Sequence, residues 1–323
     1  MKVRRWLGAG AALVVGAALV VQPSGAEASA FAASVTASDT VTASGDPSCP
    51  NTVSMSGPRP GTVSFPIDGV TRDYRLDRTG TAGSSSVHTT AAVRGSVATN
   101  PWGTTRVAAR IGASASARPA AATVCSASAT STGSLSVRIA APRRSWLVVR
   151  TSGKLAGADS AIGLESDNGA VVLPLDLGRS LTRLVPESTY TLVAGVTASV
   201  TVPAHSTTAR GEQGSFDASL ALYPIGTLRK QTGTGKAFLK AGNRDCARKR
   251  VDLTLSARAH KKARRITLTL NGKQVKVLTG RSLQRAVVRV KRIPATSGGV
   301  VGATVVLKSG AVRRMKASSW PCA

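Results

Sequence analysis

Apolar and polar residues alternate with a period of two along much of this chain, most regularly in its last quarter. Val251, Leu253 and Leu255 alternate with Asp252, Thr254 and Ser256, and Ile266, Leu268 and Leu270 with Thr267 and Thr269. Asn271-Gly272 follows, a pair that tolerates positive φ at both positions and so predicts a tight hairpin. Val275 and Val277 return around Lys276, Val288 and Val290 flank Arg289, and Val301, Ala303, Val305 and Leu307 form a further alternation. Ser309-Gly310 then turns the chain into Ala311–Met315. This periodicity predicts six strands and an antiparallel β-sandwich over residues 243–323.

Upstream the same period is carried by smaller residues. Thr62–Phe65, Val70–Tyr74 and Arg106–Ile111 read as short strands of a first β-module over 49–130, between Gly- and Pro-containing turns. Leu135, Val137 and Ile139 alternate with Ser136, Arg138 and Ala140 and open a second module over 131–225. Trp146–Val149 reads as a strand buried on both faces, so Trp146 is expected in a core. Asp167-Asn168-Gly169 reads as a turn into 170–173, and 189–193 and 198–202 as two further strands. Residues 31–48, rich in Ser, Ala and Thr, are expected to form a disordered arm. Residues 226–242, with four glycines, are expected to be a linker. The chain is therefore expected to be all-β, a tandem of small β-sandwich modules.

Residues 1–30 have a different pattern. Lys2, Arg4 and Arg5 precede an apolar run, Trp6–Val21, and a polar stretch that ends in Ala26-Glu27-Ala28 and Ala28-Ser29-Ala30. This is the order of a secretory signal peptide, with cleavage expected after Ala28 or Ala30. The apolar run is shorter than the ~20 residues a spanning helix needs, so no transmembrane segment is expected in the mature chain. Export to an oxidising compartment makes the four cysteines readable as disulfides. Three connectivities are open. Cys49–Cys125 with Cys246–Cys322 is favoured, because each pair would then bracket one module.

Composition changes the picture through charge. The formal net charge is +28 and aromatic residues are only 3%. Residues 226–323 hold 24 Lys or Arg against Asp245 and Asp252 alone, while residues 31–225 hold 16 basic and 12 acidic residues. Such an asymmetry points to a polyanionic partner for the last third. Its densest part is a predicted loop containing Arg258, His260, Lys261, Lys262, Arg264 and Arg265. Lys276, Arg289 and Lys291 are expected to extend it from neighbouring strands. The competing account is a solvated loop whose charges block edge-to-edge aggregation. Expected partners are anionic wall polymers or acidic polysaccharide, with an acidic protein as a further option. Sequence-specific nucleic-acid binding is not expected, because the basic segment lacks interleaved aromatics for stacking.

Motifs for catalysis are sparse. There is no Gly-x-Ser-x-Gly elbow or His-Glu-x-x-His pair, and His88, His205 and His260 show no metal-ligand spacing, so no metal and no cofactor is expected. Gly233-Thr234-Gly235-Lys236 resembles part of a phosphate loop, but Lys230 stands where its first glycine belongs and Ala237 where its hydroxyl belongs. Asp68, Asp73 and Asp77 lie among Arg72, Arg75 and Arg78, which reads as a charge-paired surface. The alternative to a non-enzymatic binding protein is a secreted hydrolase with its site in residues 49–225 and the last module as a targeting appendage.

The stretch Ile266-Thr-Leu-Thr-Leu-Asn-Gly-Lys273, then Gly280-Arg281-Ser-Leu283, then the closing Trp320-Pro321-Cys322, resembles the bacterial Ig-like modules of secreted actinobacterial proteins, in which V-x-V-N-G-K is followed by G-R-x-L. The resemblance covers about a quarter of the chain, residues 246–323. It implies an immunoglobulin-like sandwich in an accessory role, with no catalytic residues to carry over.

Overall fold

A computed structural model describes residues 33–323 except 46, 121–123, 168, 170 and 175–177, with the backbone alone over 171–174. The expected signal peptide lies outside the described residues. The first sandwich contains β1 (Ala33–Gly45), β2 (Val53–Ser56), β3 (Gly61–Phe65), β4 (Arg72–Ala82), β5 (Ser85–Thr99), β6 (Thr105–Arg118), β7 (Cys125–Ala141), β8 (Ser145–Ala156), β9 (Asp159–Ser166), β10 (Val171–Pro174), β11 (Ser180–Val185), β12 (Ser188–Val202) and β13 (Arg210–Pro224). The second contains β14 (Leu228–Thr232), β15 (Leu239–Asp245), β16 (Arg250–Leu255), the short helix α1 (Ala257–Lys262), β17 (Ala263–Leu270), β18 (Lys273–Thr279), β19 (Val287–Val290), β20 (Val300–Leu307) and β21 (Val312–Ser319). The chain is all-β, in tandem sandwiches.

The first sandwich differs from the two modules expected. One sheet runs β10-β9-β12-β7-β1-β3, the other β11-β8-β13-β6-β5-β4-β2. Their inner faces share one core, from Val35 and Val93 to Leu192 and Leu222. The expected boundary at 130/131 falls inside β7, which pairs with β1 on one side and β12 on the other. Residues 33–45 of the expected disordered arm are strand β1, paired over its whole length with β7. Its Ser, Thr and Ala residues alternate as a strand should, but their small size hides the period. The segments 189–193 and 198–202 are likewise one strand, β12.

Small side chains let the two sheets approach closely. The buried faces of β6 and β7 carry Ala113, Ala115, Ala117, Ala127 and Ala129. At Gly133 of β7 an added Cβ would lie 3.0 Å from the Gly112 carbonyl oxygen of the facing sheet and 3.0 Å from Val93. On the outer face, hydroxyls pair across strands: Ser128–Thr201 at 2.6 Å, Thr130–Ser199 at 2.8 Å and Thr132–Thr197 at 3.1 Å. Such pairs stabilise a sheet by a few tenths of a kcal/mol each. Tyr190 is fully buried and donates its hydroxyl to the Pro186 carbonyl at 2.8 Å, and burial raises its pKa.

The second sandwich packs a five-stranded sheet, β14-β21-β20-β17-β18, on a three-stranded one, β15-β16-β19. All six strands expected from the alternation are present. The expected linker is not one: β14 pairs with β21 and β15 with β16. Gly226, Gly233 and Gly235 serve close packing, since an added Cβ at Gly235 would meet Met315 and the backbone of Arg314 within 3.0 Å. Asn271 and Gly272 take φ of 50° and 84°, as the hairpin requires. Arg244, 4% exposed, donates its guanidinium to the carbonyls of Ser297 (2.6 Å), Pro294 (2.7 Å) and Ile293 (2.8 Å), and burial lowers its pKa. That buried cation fixes the loop from β19 to β20.

The disulfides are Cys49–Cys125 and Cys246–Cys322, the favoured pairing. The second fastens the C-terminal segment, whose Trp320 stacks on Tyr223 (5.0 Å) and Trp146 (5.9 Å) of the first sandwich. Trp146 is thus half-buried between the sandwiches and not in a core, and its Nε1 donates to the Pro321 carbonyl at 2.9 Å. The Arg229 guanidinium lies 4.8 Å from the Trp320 ring centroid.

Two outcomes follow from this packing. Gly133→Val overpacks the inter-sheet space and should cost about 1–3 kcal/mol; an unchanged thermal midpoint would contradict the close approach. Replacing Cys246 and Cys322 together by serine opens a loop of 76 residues, a loss of about 4–5 kcal/mol in the chain-entropy model. The denaturation midpoint should fall, with tryptophan emission shifting to the red as Trp320 leaves Trp146.

Candidate functional site

The nine basic residues singled out in the sequence fall into two groups on the second sandwich. The first surrounds α1. Ser256 caps this helix, its hydroxyl accepting from the Ala259 N–H at 3.2 Å, and Ala259 is buried beneath it. The expected loop is thus a short helix, since Ala257, Arg258, Ala259 and Lys261 are good helix formers after an N-cap. It leaves Arg258, Lys261 and Lys262 exposed. Lys261 and Lys262 lie in its last turn, where cations complement the helix dipole. A break in register between Ala263 and Arg265 at the start of β17 accompanies the exposure of Arg264 and Arg265 side by side. His260 is half-buried, and its Nδ1 donates to the Leu283 carbonyl at 2.6 Å. It ties α1 to the 3₁₀ turn Gly280–Gln284 and so helps to position the basic residues around it.

The second group lies between the edge strands β18 and β19, the outermost strands of their sheets. Lys276, Arg289 and Lys291 line an open groove of about 770 Å³ there, together with Arg285 and Arg292. Arg285 and Arg292 join the expected residues here: Arg285 stands apart from other charges in the sequence, and Arg292 directly follows Lys291. Val275 and Val287 also line the groove and are 46% and 43% exposed. No carboxylate lines it.

Carboxylates are scarce throughout this sandwich. Asp245 faces Arg248 (3.7 Å) and Arg250 (3.6 Å), and Asp252 faces Arg250 (3.6 Å) and Arg289 (3.9 Å). Residues 226–323 have no other Asp or Glu. Among the described residues, Arg258, Lys261, Lys262, Arg264 and Arg265 therefore form no ion pair within their own sandwich.

The first sandwich carries its ionisable groups differently. Arg72 pairs with Asp68 at 2.8 Å and Arg75 with Asp77 at 3.3 Å, as a charge-paired surface should. Arg78 does not join them. It turns between the sheets to Asp39, 2.8 Å away, whose other oxygen accepts from Thr89 at 2.8 Å. The His88 Nε2 meets Asp77 at 2.9 Å on the exposed sheet face, and this hydrogen bond is the main reason the Asp77 pKa is lowered. An open groove of about 670 Å³ on the outer face of the β11-to-β2 sheet is lined by Arg94, Arg110 and Arg150 with one carboxylate, Asp217, and no histidine. Such a lining supplies guanidinium forks for an anion rather than a matched acid and base. Among the described residues no three His, Cys, Asp or Glu side chains gather as a metal cluster, and no helix is long and apolar enough to cross a membrane.

No family model and no curated protein matches the chain. Solved structures similar to it include the adhesin domain of Epf from Streptococcus pyogenes, at 11% identity over 79% of this chain and 92% of that one, with a TM-score of 0.21. Another is the structure of the infectious bursal disease virus Gx strain, at 12% identity over 89% and 63%, with a TM-score of 0.18.

The Asp77–His88 pair gives a signed expectation. A depressed carboxyl pKa contributes stability above its ordinary value of 3.8, which is lost as pH falls through the lower folded value. In an NMR titration Asp77 should therefore protonate below 3.8, and His88→Ala should raise its midpoint; an unmoved midpoint would count against the hydrogen bond.

Proposed function

We propose that this is a secreted, non-enzymatic protein whose C-terminal, immunoglobulin-like sandwich holds it on anionic polymers of a cell envelope or extracellular matrix. The observation that carries this reading is the group Arg258, Lys261, Lys262, Arg264 and Arg265. These five cations are exposed around one short helix, in a sandwich whose two carboxylates face other arginines. A linear polyanion with phosphate or carboxylate groups gains from such a cluster by releasing its condensed counterions. Arg258, Arg264 and Arg265 add bidentate geometry, while Lys261 and Lys262 act as point charges. Two disulfides suit the oxidising compartment that the N-terminal signal pattern implies.

The test is retention on poly(glycerol phosphate) and on polygalacturonate across a salt series. The intact protein should bind at low salt and elute steeply, with a log–log slope of about one per contact. Changing all five cations to glutamate should remove most of that slope. Retention of the fivefold variant at the same salt, or no binding of the intact protein to either polymer, would sink the reading.

A further inference from the structure

The β18/β19 groove has features that a polyelectrolyte contact does not use. The five-stranded sheet is two strands wider than the sheet packed on it, so the face of its edge strand β18 is left partly uncovered. Lys276 sits on that uncovered face. It stands opposite Leu268 in the β17–β18 ladder, and Leu268, like Ile266 and Leu278, points into the core. Lys276 is therefore an inward-facing cation, half-buried at the floor of the groove. Beside it β19 pairs with β16 alone, so every second residue of β19 turns its N–H and C=O toward the groove. Arg289 and Lys291 are exposed on the outer side of the same edge, and Val275 and Val287 form apolar rims.

We propose that this groove takes an extended acidic polypeptide, which adds to the small sheet as a fourth strand beside β19. Such a strand pairs its main chain with the free edge of β19 and covers Val275 and Val287. Its side chains alternate, so that one carboxylate reaches Lys276 below while the next meets Arg289 or Lys291 above. Lys276 also sets specificity. Beneath a neutral strand it becomes a buried, unpaired charge, which is strongly disfavoured; beneath an acidic strand it is paired. A second copy of this chain is a poor occupant, because its own β19 edge would bring Arg289 against Arg289. A polysaccharide has no peptide groups for the edge and leaves that half of the site unused. The proposal uses other residues than the polymer-binding cluster, so either can fail without the other.

The test uses the full chain and the octapeptide Glu-Glu-Thr-Thr-Glu-Glu-Thr-Thr, which as a strand carries carboxylates on both faces, followed by calorimetry. Controls are the same peptide N-methylated at alternate amides, and a galacturonate octamer. The expected result is that the peptide binds, N-methylation weakens it at least tenfold at unchanged charge, and Lys276→Gln and Arg289→Glu each do the same. The melt of Lys276→Gln should match the parent, since glutamine keeps most of the volume of Lys276; Arg289→Glu, which stands opposite Asp252, should melt somewhat lower but stay folded at the assay temperature, since the Arg289 side chain is 57% exposed. The fivefold α1 variant should bind the peptide as the parent does. Equal binding of the N-methylated peptide would overturn strand addition, as would no peptide binding, no effect of Arg289→Glu, or a galacturonate octamer bound as tightly and weakened equally by Arg289→Glu. Dimerisation of the peptide-free protein that Arg289→Glu abolishes would assign the edge to a second copy and also overturn it.

Discussion

A buried alanine removes little more than one methyl group from water, a gain of ~0.8 kcal/mol, so a sandwich lined by Ala113, Ala115, Ala117, Ala127 and Ala129 must extend to collect a core. This constraint shapes the first two-thirds of the molecule. Its central strands run to 15 and 17 residues, and their sheets close until Gly133 meets the Gly112 carbonyl. Two smaller modules built from the same residues would each bury too little. One long, thin sandwich results, with β1 recruited into its sheet and cross-strand hydroxyl pairs knitting its outer face.

The second sandwich meets the same shortage of large side chains by other means. It uses Leu253, Ile266, Leu268 and Leu278 in its core, a disulfide at its end, and a buried arginine that gathers three carbonyls. Its wide sheet ends at β18 and its narrow one at β19, and the cations at those free edges have two physical roles. They discourage association with neutral strands, and they define the charge of anything that can bind. Trp320, held by Cys322, connects this sandwich to Tyr223 and Trp146 of the first. The basic sandwich thus meets the first through direct ring contacts.

Alternation of Val, Leu and Ile with polar residues, together with Asn271-Gly272, determined the six strands of the last 75 or so residues without reference to tertiary contacts, because a half-buried strand must alternate. The expectation that each pair brackets one module led to the disulfide pairing, although residues 49–125 are part of a larger sandwich, and the count of two carboxylates against 24 cations located the basic sandwich. Other features depended on contacts distant in sequence. Ser- and Thr-rich β1 becomes a strand because β7, some ninety residues later, supplies its partner. Gly226, Gly233 and Gly235 read as slack but serve close packing. Trp146 reads as core, yet its partners are Trp320 and Pro321 at the far end of the chain. The nine basic residues separate into a short helix and a groove because β18 and β19 belong to different sheets, and the groove exists because those sheets differ in width. Sequence determined which stretches pair and where the charge lies; only the tertiary structure decided which edges remain free, because an edge is defined by the strand that is not beside it.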